Sequence, residues 1–86
     1  MRRDVEFFGD RELPLIYIAK RLKDALALEK MLTEAGLDYL VETDTYRGGI
    51  IFASERVGAF FYVAPESEQS ARDALVAHGW KPYATR

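Results

Sequence analysis

Two stretches of this chain are apolar at consecutive positions rather than alternate ones: Leu13-Pro14-Leu15-Ile16-Tyr17-Ile18-Ala19 and Phe60-Phe61-Tyr62-Val63. Successive side chains of a strand point to opposite faces, so strands written this way reserve no face for water and need cover on both. Pro14 is tolerated at the first position of one strand, and Pro65 ends the other. With 86 residues, 49% of them hydrophobic, there is material for one modest core and no second domain.

Between these strands the period changes. From Arg21 onward, Leu22, Ala25, Leu28, Met31 or Leu32, and Ala35 recur at helical spacing, with Lys23, Asp24, Lys30 and Glu34 on the other side, which predicts an amphipathic helix. Gly36 can close that helix in the left-handed conformation. A strand is expected over residues 37–43, a turn at Thr45-Tyr46-Arg47-Gly48-Gly49, a short hairpin strand at Ile50-Ile51-Phe52-Ala53, a second turn at Ser54-Glu55-Arg56, and a strand over residues 57–64. Beyond Pro65, Glu66 and Glu68 favour a helix N-terminus, and Ala71, Ala74, Leu75 and His78 share a face. Gly79 repeats the role of Gly36, and residues 80–84 can add a last strand that Pro82 confines to an edge.

Leu32, Gly36, Leu37 and Tyr39 are echoed by Leu75, Gly79, Trp80 and Tyr83. Two βαβ-like halves with right-handed crossovers predict an α+β fold over residues 13–86: a ferredoxin-like βαββαβ sandwich, two helices on one face of an antiparallel sheet, with an extra short hairpin strand. Residues 1–12, which mix charges with Val5, Phe7 and Phe8, are expected to form a partly ordered N-terminal arm.

The element order over residues 15–64, the helix end Glu34-Ala35-Gly36-Leu37, and the strand end Tyr62-Val63-Ala64-Pro65-Glu66 leading to Ala71-Arg72 resemble the small bacterial domains of unknown function described as prokaryotic signal-transducing proteins. The resemblance implies a ferredoxin-like regulatory module that binds effectors or partners. It brings no catalytic or ligand-binding residues to carry over, and the segment before Leu13 lies outside it.

Lys and Arg total 12 against 14 Asp and Glu, for a net charge of -2, so the electrostatic footprint of a general nucleic-acid binder is missing. The absence of cysteine rules out disulfides and thiolate chemistry and leads to the expectation of a cytoplasmic protein. Asp4, Glu6, Gly9 and Asp10 interrupt any export signal after Met1-Arg2-Arg3, and no apolar run approaches the roughly 20 residues that span a bilayer, so no membrane association is expected.

Few residues carry chemistry. His78 is the sole histidine, which leaves no protein-dominated metal site; its simpler role is to close the second helix. Glu42 and Asp44 share one side of a strand, the spacing of an acid/base pair or a hard-cation site, though such a pair is ordinarily just solvated. Serine chemistry lacks a G-x-S-x-G setting. Arg56-Val57-Gly58-Ala59-Phe60-Phe61-Tyr62 resembles one base-stacking strand of RNA-recognition domains, but core packing explains it more simply. In Tyr46, Arg47, Gly48 and Gly49 a guanidinium beside two glycines lets backbone amides and a cation meet an anion, which makes these the candidate ligand- or partner-binding residues.

Two helices cover one face of a sheet, and the apolar strands leave the other in need of cover. The expectation is therefore a non-enzymatic regulatory or interaction module, with no cofactor and no metal, that binds a protein partner or small effector. The uncovered face points to a homodimer or to docking of the Phe7-Phe8 arm, in the same or a neighbouring chain. A small carboxylate-dependent enzyme and a single-stranded nucleic-acid binder are the alternatives.

Overall fold

The computed structural model describes residues 1–48 and 54–84, with the backbone alone at 45–48 and 54–57. A short helix α1 (Val5–Phe8) leads to strand β1 (Leu15–Ala19), helix α2 (Leu22–Glu34), strands β2 (Tyr39–Gly48) and β3 (Ser54–Val63), a 3-10 turn (Pro65–Ser67) and helix α3 (Glu68–Ala77). The strands form a three-stranded antiparallel sheet in the order β1-β3-β2, so the fold is α+β as expected.

Buried residues of both helices pack with the sheet in one core. Ala25, Leu28, Met31 and Leu32 of α2 and Ala71 and Leu75 of α3 meet Ile16, Tyr39, Phe61 and Val63. The spacing rule placed Leu22 on this stripe, but at the first turn of α2 it is 75% exposed and contributes nothing to the core. Tyr39 is buried, and its hydroxyl has partners: it donates to the Glu29 carbonyl at 3.1 Å and lies 3.0 Å from Thr33 Oγ1.

The two helices end alike. The Leu37 N–H donates to the Leu32 carbonyl and the Gly36 N–H to Thr33, while the Trp80 N–H donates to Leu75 and the Gly79 N–H to Val76. Each is a Schellman cap, with a glycine at φ 77 (Gly36) or 83 (Gly79) and an apolar residue folded back on the last turn. The sequence echo is thus a repeated helix stop.

Three sequence expectations need correction. Thr45-Tyr46-Arg47-Gly48 are not a turn but the continuation of β2, with Tyr46 opposite Arg56, Arg47 opposite Glu55 and Gly48 opposite Ser54. For the same reason Ser54-Glu55-Arg56 belong to β3. A ladder begun at Tyr39 and Val63 satisfies further backbone groups as it lengthens, and this outweighs local turn preference in a stretch holding Thr and Tyr. Gly49 and the hairpin strand expected at 50–53 lie outside the described residues. Residues 80–84 do not form a ladder. Beside β1 they make one backbone bond, from the Tyr83 N–H to the Ile16 carbonyl at 2.7 Å, and Pro82 has no N–H to offer.

The N-terminal segment lies against the sheet. Its Arg2 bridges in parallel to Tyr39, with the Arg3 N–H donating to the Tyr39 carbonyl at 2.8 Å and the Tyr39 N–H to that of Met1 at 3.1 Å. The Met1 ammonium also bonds the Leu37 carbonyl. Phe8 is buried with Leu40 and Ala64, beside Leu13 and Tyr62, away from the main core. Phe7 stays half exposed, with the Arg3 guanidinium 4.5 Å from its ring centre.

A Cβ at Gly79 would meet nothing within 4 Å, so the cost of Gly79→Ala comes from the left-handed backbone alone. The variant is expected to fold, with stability lowered by about 1–2 kcal/mol in denaturant titration, and Gly79→Asn to lose less.

Candidate functional site

An irregularity in β1 shapes the strand edge beside a cleft. Leu15 pairs with Tyr62 and Tyr17 with Phe61, so Ile16 is an extra residue without its own partner on β3. A bulge of this kind bends the strand and re-aims its side chains. Ile16 is fully buried in the helix-side core, and Tyr17 packs against that core too, edge-on to Trp80 with ring centres 5.4 Å apart. Ile18 then pairs with Phe60 on the side away from the helices.

Along the outer side of β1 lies a cleft of about 540 Å³, bounded by Tyr17 and Ile18, by Lys20, Arg21 and Asp24 at the start of α2, and by Lys81 and Tyr83 from the C-terminal segment. Among the described residues that bound it, Lys20, Arg21 and Lys81 are cationic and Asp24 is a carboxylate. Arg72 holds the far wall in place. From α3 its guanidinium donates to the Tyr83 carbonyl at 2.6 Å and the Leu15 carbonyl at 3.3 Å, while Nε bonds Glu68 at 3.0 Å. One side chain thereby ties helix, strand and C-terminal segment together.

Burial, and secondarily the Asp24 carboxylate, holds the Tyr17 phenol above its ordinary 10.0. It is a neutral hydrogen-bond donor throughout the physiological range. Tyr62 is raised in the same sense, by burial first and then by Glu42 and Asp44.

A second hollow, of about 280 Å³, lies between the arm and the end of α2, but its charged walls are already paired. Arg11 makes two 2.9 Å bonds to Glu66 there, lowering that carboxyl's pKa, and Arg3 meets Asp38 at 2.9 Å.

The sequence candidates lie elsewhere. The backbone of Tyr46, Arg47 and Gly48 occupies the far end of β2; Gly49 is outside the described residues. Glu42 and Asp44 are exposed on the strand face that carries Tyr62. His78 does close α3, its Nδ1 donating to the Ala74 carbonyl at 2.9 Å. Tyr17 faces the helix side while Phe60 and Tyr62 lie on the other, so the aromatic rings of β1 and β3 do not form a single stacking platform. Among the described residues no group of three or more His, Asp or Glu is placed to hold a metal ion, and no helix is long and apolar enough to cross a membrane.

Sequence reasoning missed Lys20, Arg21, Lys81 and Tyr83. The one available signal was that basic residues sit where a strand hands over to one helix and just past the stop of the other. No protein-family model, curated protein or solved structure matches the chain.

A raised folded-state phenol contributes stability below its unfolded value and loses it as pH climbs past that value. Stability is therefore expected to fall as pH rises above about 10. Following phenolate absorbance, Tyr17 and Tyr62 are expected to ionise later than the unfolded chain's tyrosines. Asp24→Asn should move Tyr17 part of the way back, because burial is the larger cause.

Proposed function

We propose that this chain is a non-catalytic regulatory module that takes a small anionic effector in the cleft along β1. The observation that carries the proposal is the convergence of Arg21, from the start of α2, and Lys81, from the C-terminal segment, on an open cleft of about 540 Å³ beside Tyr17 and Ile18. That size falls within the range of small-molecule sites, roughly 300–1,000 Å³, and a few convergent polar groups against an apolar and aromatic wall are what such sites use to orient a ligand. In this reading the effector takes the edge of β1 instead of Tyr46, Arg47, Gly48 and Gly49.

The proposal includes a ferredoxin-like architecture. Its support is the order β1-β3-β2 with both pairings antiparallel, the connection from β1 through α2 to β2, and the position of residues 80–84 beside β1, where a fourth strand would complete the sheet. A relation to the prokaryotic signal-transducing domains rests on the same element order.

Trp80 touches Tyr17 on the cleft wall and is the chain's single tryptophan, so it reports occupancy. Titrated with inorganic phosphate or succinate, the emission of Trp80 is expected to change saturably. Lys81→Ala should weaken the response about tenfold, the scale of one lost charge-assisted hydrogen bond. A linear response, unchanged in the variant, would count against the proposal.

A second reading, homodimerisation, has its own support: Leu15, Ile18, Phe60 and Tyr62 are only half-buried on the sheet face away from the helices. Sedimentation should then show a concentration-dependent approach to twice the monomer mass, which Phe60→Asp abolishes. A monomer at high micromolar concentration would sink it.

A further inference from the structure

Resting on the effector reading of the same cleft, we infer that the effector is a short extended peptide with an acidic residue, which adds as a strand to the outer edge of β1. Backbone directions come first. The Val63 N–H donates to the Pro14 carbonyl at 3.3 Å, so Val63 turns its backbone towards β1, and Phe61, two residues away on the same strand, turns the same way. Tyr17, the partner of Phe61, therefore points its own backbone groups at β3. Ile18 comes next and points its N–H and C=O outward, away from β3, on the side where the Ile16 carbonyl accepts from the Tyr83 N–H.

The cleft lies where those two groups emerge. Tyr17 and Ile18 put their side chains on opposite faces of the sheet, and a hollow that both of them border runs along the strand's edge rather than over either face. The C-terminal segment meets β1 at Tyr83 but makes no backbone bond to Ile18. Lys81 stands across a cleft of about 540 Å³ instead, and Pro82 has no N–H with which to extend the pairing. An N–H and a C=O side by side at an open sheet edge are matched by one residue of an antiparallel strand, which exchanges both bonds with Ile18. A dicarboxylate, which only accepts, matches one of the two.

Side chains follow from the pleat. The peptide residue opposite Ile18 lies on the same face of the sheet, beside half-buried Phe60, where an apolar β-branched partner is favoured. Because the added strand runs antiparallel to β1, the preceding peptide residue falls near the end of β1, towards Arg21 at the start of α2. Arg21 is exposed and forms no salt bridge among the described residues, so a carboxylate is the complementary group there. Asp24 borders the same cleft, which suits one carboxylate and not a run of them.

The test is a set of Trp80-emission titrations on the full chain, Trp80 lying 5.4 Å from the Tyr17 ring. The probes are acetyl-Glu-Val-Ala-amide, the same peptide N-methylated at its valine, acetyl-Gln-Val-Ala-amide, and succinate. Each is repeated on Arg21→Ala and, as a charge control, on Lys30→Ala; both positions are exposed, Lys30 does not line the cleft, and circular dichroism checks that both variants fold. Saturable binding of the glutamate peptide is expected, with a loss of about tenfold on N-methylation, which removes the donor to Ile18, and about tenfold in Arg21→Ala. The glutamine peptide should bind about tenfold more weakly than the glutamate peptide and be indifferent to Arg21→Ala, and Lys30→Ala should change neither. Equal binding of the N-methylated peptide would overturn the strand pairing, and equal binding of the glutamine peptide, or an equal loss in Lys30→Ala, would overturn the acidic residue. Saturable binding of succinate with none of the peptides would overturn this inference and leave the effector reading standing, whereas no saturable binding of any of the four would overturn both.

Discussion

Phe61 has no exposed surface and sits on the central strand, opposite Tyr17 of β1 on one side and Val41 of β2 on the other. Because β3 lies between β1 and β2, the burial of Phe61 and Val63 sets where both neighbours lie, and the helices follow by packing onto the face those side chains present. Tyr39 leans towards Phe61 with ring centres 6.0 Å apart, and its hydroxyl reaches α2. Strand and helix are thus joined by one side chain that is apolar along its body and hydrogen-bonded at its tip.

The cleft is a consequence of how this core closes at its β1 edge. An extra residue in β1 sends Ile16 into the core and brings Tyr17 to the same side, where the cap of α3 has already folded Trp80 back. The C-terminal segment is then held by one backbone bond and by Arg72 rather than by a ladder, so β1 keeps an open margin towards the start of α2. Lys20, Arg21 and Lys81 border that margin together with Asp24.

The face away from the helices is handled differently at its two ends. Near Leu40 and Tyr62 the arm lays Phe8 into place and lines up with the start of β2, covering some of the edge as well as some of the face. Towards Ile18 and Phe60 the face is only half-buried, and Glu42 and Asp44 border it. An antiparallel sheet can keep one face in water, but then its strands usually alternate; here β1 and β3 do not.

Local rules were enough for whatever depends on short-range chemistry. The helical period gave α2 and α3, and Gly36 and Gly79 marked their ends because few residues other than glycine accept the left-handed cap. The consecutive apolar residues marked β1 and β3, and the place of His78 at the end of α3 was readable from position alone. Leu22 was misplaced because the period says which residues share a stripe, not how far along the helix the core extends. The stretch 45–48 became strand because a long ladder overrode its turn residues, a competition decided by pairing with a distant segment. The cleft could not be read from spacing at all. Lys20 and Arg21 are separated from Lys81 by most of the chain, and only the sheet order, the bulge at Ile16 and the tie through Arg72 bring them to one edge. Charge patterns along a sequence record neighbours in the chain, whereas a binding site is made of neighbours in space.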